Sequence, residues 1–110
     1  MTATGHWKVQ RLTAVLLIPL TLWLLFSVAK LSSASYPVVQ AWITTPLTAI
    51  FLTLFVMIAG HHAFLGLQVI LEDYTHGALR KRAILFSRMV LATATLLSLY
   101  AIFSITTQDL

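Results

Sequence analysis

The stretch HHAFLGLQVILEDY, His61 to Tyr74, closes a long apolar run with two adjacent histidines at one end and Asp73-Tyr74 at the other. An ionisable side chain well inside a hydrocarbon-length helix is costly to keep, so the histidines mark a candidate site. On an ideal helix each residue turns about 100°, and positions eleven apart nearly coincide in angle. His62 and Asp73 are eleven apart, and Gly66 and Val69 fill the stripe between them. One helix face therefore presents an imidazole at depth, a small gap at Gly66, and a polar cluster at the water boundary.

The surroundings of this stretch call for lipid. Of 110 residues, 59% are hydrophobic and 9% charged, against roughly 25% charged in a soluble domain. The length suits one domain, residues 1–110, set in a membrane. A net charge of +4 could suggest nucleic acid, but the charges stand at the ends of apolar runs, so no nucleic-acid partner is expected. There is no cysteine. That excludes a disulfide framework and a thiolate metal site, leaving histidine and carboxylate as the possible metal ligands.

Working outward, the apolar segments read as three transmembrane helices, at about 12–29, 47–71 and 83–105. The fold class is an all-α membrane protein. Residues 1–11 are polar and basic, with Trp7 suited to an interface. A cleaved signal peptide competes for the first run, but the run is long for one and SSASYP only loosely resembles a cleavage site. Pro19 is tolerable there, because neighbours can satisfy the freed carbonyl. Residues 30–46 read as a connector, and Gly77 in EDYTHGALRKR reads as a helix stop. The tail TTQDL is too short to fold.

Three spans place the termini on opposite sides. Lys8, Arg11, Arg80, Lys81 and Arg82 share one side, while Lys30 and Asp109 lie on the other. The positive-inside rule then puts the N-terminus and the turn at 72–82 in the cytoplasm, or in the matrix of a mitochondrion. Lack of a long Arg/Ser-rich presequence favours the bacterial inner membrane over the mitochondrial one. His62 lies about 16 Å deeper than Asp73, at about 1.5 Å per residue.

Several chemistries suit these residues. A histidine here could make an interhelical hydrogen bond, serve a proton relay, or ligate haem iron through neutral imidazole. Gly66, one turn from His62, would leave room for a flat macrocycle. His61 and His62 point about 100° apart, so they cannot grip one iron from opposite faces. His6 and His76 are too shallow to help, and a six-coordinate haem would take its other ligand from another chain. Asp73 and Tyr74 read either as an ordinary solvated helix end or as a quinone site. In the latter, the Tyr74 hydroxyl donates to a quinone carbonyl and Asp73 orients it or carries protons. Arg11 and Arg88 suit haem propionates or Asp73, or act as plain anchors. Arg80, Lys81 and Arg82 read as orientation charges and a rim for anionic lipid or a peripheral subunit.

The pattern His62-x-x-x-Gly66-x-x-x-x-x-x-Asp73-Tyr74, with HWKVQRLTAV near the start, resembles the small hydrophobic anchor subunit of succinate dehydrogenase, respiratory complex II. The resemblance implies three helices forming half of a haem-binding bundle. It implies His62, rather than His61, as one axial ligand of haem b, with the second histidine from a cytochrome b-like partner anchor. It further implies Tyr74 and Asp73 at a ubiquinone site, Arg11 near the haem propionates, and docking of the iron–sulfur and flavoprotein subunits on the cytoplasmic face. The chain would hold no dicarboxylate site and would help pass electrons to ubiquinone. The competing readings are a fumarate reductase-type anchor, a haem-free structural anchor, and a small three-helix transporter subunit. The transporter would want polar groups along several helices, and the first span has no charge at all.

Overall fold

A computed structural model of the chain describes residues 2–108. Asp109, counted above in the charge balance, lies outside the described residues. Four helices follow one another: α1 Ala3–Leu31, α2 Tyr36–Thr44, α3 Pro46–Tyr74 and α4 Gly77–Thr107. The three long ones are long and apolar enough to cross a membrane. Each of α1 and α3 has 29 residues, or about 43 Å of helix. They overrun the spans expected from hydropathy because apolar content marks hydrocarbon depth, whereas backbone hydrogen bonding continues into the polar flanks. Thus the polar start is helical, opened by Thr2, whose side chain accepts from the Gly5 N–H at 3.0 Å. At the other end α4 runs through Thr106 and Thr107, which were expected to be unstructured tail. Pro19 removes one helical hydrogen bond, yet α1 continues through it.

The stretch read as a plain connector contains a helix. α2 spans 9 residues, with Ser35 at its N-cap position and proline in its first turn. Proline at a helix start loses no hydrogen bond and has its φ already set. Trp42 of α2 stacks on Trp23 of α1 with ring centroids 5.8 Å apart, and Trp23 meets Phe51 of α3 edge-on at 5.3 Å. Gln40 Nε2 donates to Gln108 Oε1 at 3.1 Å, tying α2 to the end of α4. This aromatic and amide cluster closes one end of the bundle.

α3 is the central element, packed on α1 along one side and on α4 along the other. The bundle measures 50 × 25 × 24 Å. Leu65 is its one buried apolar residue among those described, while Thr13, Thr48 and Ser87 are buried hydroxyls. Such a pattern fits a lipid setting, where helices associate through small residues and hydrogen bonds rather than by removing apolar surface from water. Large side chains such as Phe26, Phe86 and Phe103 face outward. The α3–α4 turn is tight. Thr75 and His76 are extended, and Gly77 enters α4 at φ 60°. Left-handed backbone is strained for any residue with a Cβ, so the glycine belongs to the turn itself rather than to the end of α3.

Candidate functional site

α3 presents its two histidines to different neighbours, as their offset of about 100° requires. His62 is half-buried against α1, where its Nδ1 lies 2.8 Å from the Oγ1 of buried Thr13. His61 is exposed and lines a groove of about 530 Å³ between α3 and α4, together with Gly60, Arg88 and Thr95. Among the described residues no three or more His, Asp or Glu form a group suited to a metal ion.

One turn on from His62, Gly66 faces α1. A Cβ at Gly66 would lie 3.2 Å from Gln10 Nε2, so part of the gap expected for a macrocycle is taken by a glutamine of this chain. Gln10 Oε1 is buried with no hydrogen-bond partner among the described residues. Beyond it opens a cleft of about 750 Å³ between the start of α1 and the end of α3. His6, Trp7, Arg11, Gly66 and Glu72 are among the residues lining it. The cleft joins the cationic start of the chain to the acidic end of the central helix.

Arg11 is exposed, its guanidinium 5.9 Å from the centre of the Trp7 ring. Arg88 lies 5.2 Å from the Phe64 ring centre. These cation–π contacts, rather than Asp73, occupy the two arginines. Asp73 and Tyr74 are in the last turn of α3, and Tyr74 is 82% exposed, so neither is yet enclosed in a site by this chain. Gln68 Nε2 donates to Glu72 Oε1 at 2.9 Å within the same helical end.

Arg80 is more than an orientation charge. Its Nε donates to the Thr75 carbonyl at 2.9 Å, and a terminal guanidinium N–H donates to the Glu72 carbonyl. The Thr75 hydroxyl caps the Leu71 carbonyl. The Leu71 carbonyl also accepts from the Thr75 N–H at 3.0 Å, so the Thr75 hydroxyl adds a second bond there. Arg80 supplies donors to the Glu72 and Thr75 carbonyls, and its positive charge opposes the negative end of the helix dipole. The sequence signal was present, a basic residue shortly after a helix end.

Haem, implied by the resemblance, asks this chain for an imidazole with one nitrogen available to iron. His62 fits that requirement. Its Nδ1 edge is engaged by Thr13, while Nε2, on the far side of the ring, has no partner among the described residues. His62 would offer the iron one ligand from this chain.

These features define an integral membrane protein of the helical class, with its candidate site on the central helix and at one end of the bundle. The chain belongs to the succinate dehydrogenase/fumarate reductase transmembrane subunit family, whose model matches residues 2–101. It is 35% identical over 98 residues to the succinate dehydrogenase membrane anchor subunit of Reclinomonas americana, covering 86% of this chain and 82% of that protein. It is 33% identical over 73 residues to the succinate dehydrogenase hydrophobic membrane anchor subunit of Rickettsia bellii, covering 66% of this chain. The matching segment spans 58% of the length of the Rickettsia protein. A similar subunit from Paracoccus denitrificans is 33% identical over 82 residues, covering 74% of this chain and 63% of the relative. No solved structure matches the chain.

Proposed function

We propose that this chain is the small membrane anchor of a succinate dehydrogenase, holding one face of a haem b and part of a ubiquinone site. The observation that carries the reading is the placement of His62, Gly66, Asp73 and Tyr74 along one continuous helix in a member of this family. The relatives' names favour succinate oxidation over the fumarate reductase direction.

Haem, when bound, supplies a one-electron carrier. His62 offers a neutral imidazole to the iron, and a cytochrome b-like partner anchor supplies the second ligand. Arg11, exposed at the mouth of the α1–α3 cleft, offers a planar donor fork suited to a propionate carboxylate. The Tyr74 hydroxyl donates to a ubiquinone carbonyl, and Asp73 beside it passes protons to the reduced quinone. The exposure of this pair suits a site completed by other subunits. On this reading the end carrying Lys8, Arg11 and Arg80–Arg82 faces the cytoplasm, following the positive-inside rule, at a bacterial inner membrane. There the iron–sulfur and flavoprotein subunits dock, and their succinate chemistry delivers the electrons.

An affinity tag on this chain tests the reading. Detergent-solubilised membranes should yield a complex containing flavoprotein and iron–sulfur subunits that reduces ubiquinone with succinate. Recovery of the chain alone, or of a complex inert to succinate, would contradict it.

A further inference from the structure

Thr13 carries two hydrogen-bonding contacts on a single hydroxyl. Its Oγ1 donates to the Gln10 carbonyl at 3.1 Å, one turn back in α1, and lies 2.8 Å from His62 Nδ1 across the helix interface. A hydroxyl has one proton and two lone pairs. With that proton committed to the Gln10 carbonyl, Oγ1 can only accept from the ring. We infer that Thr13 is a positioning residue, which holds His62 as the Nδ1–H tautomer and so leaves the Nε2 lone pair free for iron. The inference rests on the haem-ligand reading of His62.

The setting supports a fixed arrangement. Thr13 is 7% exposed, so water does not compete for its oxygen. Its partner carbonyl belongs to Gln10, whose side chain lies against Gly66 of the same α3 face. α1 therefore controls both the angle and the proton of an imidazole on α3. A hydrogen bond from the far nitrogen of a metal-bound imidazole makes it a stronger donor and is commonly worth about 10–100-fold in metal affinity. Stronger donation favours ferric over ferrous iron and lowers the haem potential.

The test uses the assembled complex with Thr13→Val, which keeps the shape and removes the hydroxyl, and Thr13→Ser, which keeps the hydroxyl. His62→Ala is the control for the ligand itself. Haem content, the haem midpoint potential and the ferric EPR spectrum are the readouts. Thr13→Val should raise the potential, shift the EPR signature and lose haem at least tenfold faster, with Thr13→Ser close to wild type. Thr13→Ala repeats the deletion should Thr13→Val fail to assemble. A potential and EPR spectrum unchanged on loss of the hydroxyl would overturn the inference, as would equal changes in the Ser and Val variants, which would mark a packing effect. Retention of normal haem in His62→Ala would instead overturn the ligand reading beneath it.

Discussion

Thr95 on α4 stands so close to Gly60 on α3 that a Cβ at position 60 would lie 2.5 Å from its Oγ1. The two helices meet there through a glycine and a small polar side chain, the means by which membrane helices approach closely. Gly60→Val should push them apart and destabilise the bundle by about 1–3 kcal/mol, the usual scale of overpacking. The yield and melting temperature of the solubilised complex would show it. Adding Thr95→Ala should recover part of the loss; no recovery would mean that Val is rejected by something other than Thr95.

Arg80 holds the carbonyls of Glu72 and Thr75 together. Arg80→Ala should therefore loosen the last turn of α3 at a cost of about 1 kcal/mol. Faster amide exchange confined to residues around 72–76 is the expected result. Arg80→Lys keeps the charge without the fork and should fall between the two.

Tyr74→Phe removes one hydroxyl from an exposed ring that makes no fold contact of consequence. Assembly and haem content should be unchanged. If that hydroxyl donates to quinone, about 1.4 kcal/mol is lost, which is roughly tenfold in kcat/KM for ubiquinone. Wild-type quinone kinetics would remove Tyr74 from the site.

The natural chain has no cysteine, so a single introduced thiol reports topology cleanly. Ser33→Cys should react with a membrane-impermeant maleimide in intact cells, and His76→Cys only after permeabilisation. The reverse pattern would invert the orientation drawn from Lys8, Arg11 and Arg80–Arg82.

The three spans were legible because long apolar runs with at most one charge leave no other solvent than lipid, and the separation of His61 from His62 followed from helix period alone. α2 was not legible from hydropathy, being short and flanked by polar residues, although Ser35 and Pro37 form a helix-start signal. The Thr13–His62 contact joins residues far apart in sequence, and no single-helix periodicity can register α1 against α3. For the same reason Gln10 was not expected opposite Gly66. Glycine at a helix surface reads equally as room for a ligand or room for a neighbouring side chain. The contact of Arg88 with Phe64 depended on the packing of α4 against α3, which sequence periodicity does not give.

His62 decides between a haem-binding anchor and a purely structural one. A reduced-minus-oxidised visible spectrum of the purified complex, taken for wild type, His62→Ala and His61→Ala, tests it most directly. The predicted result is a b-type haem band in wild type and His61→Ala, lost or reshaped in His62→Ala. A band lost only in His61→Ala would move the ligand to the α3–α4 groove. No haem band in the wild-type complex would contradict the haem-binding anchor outright.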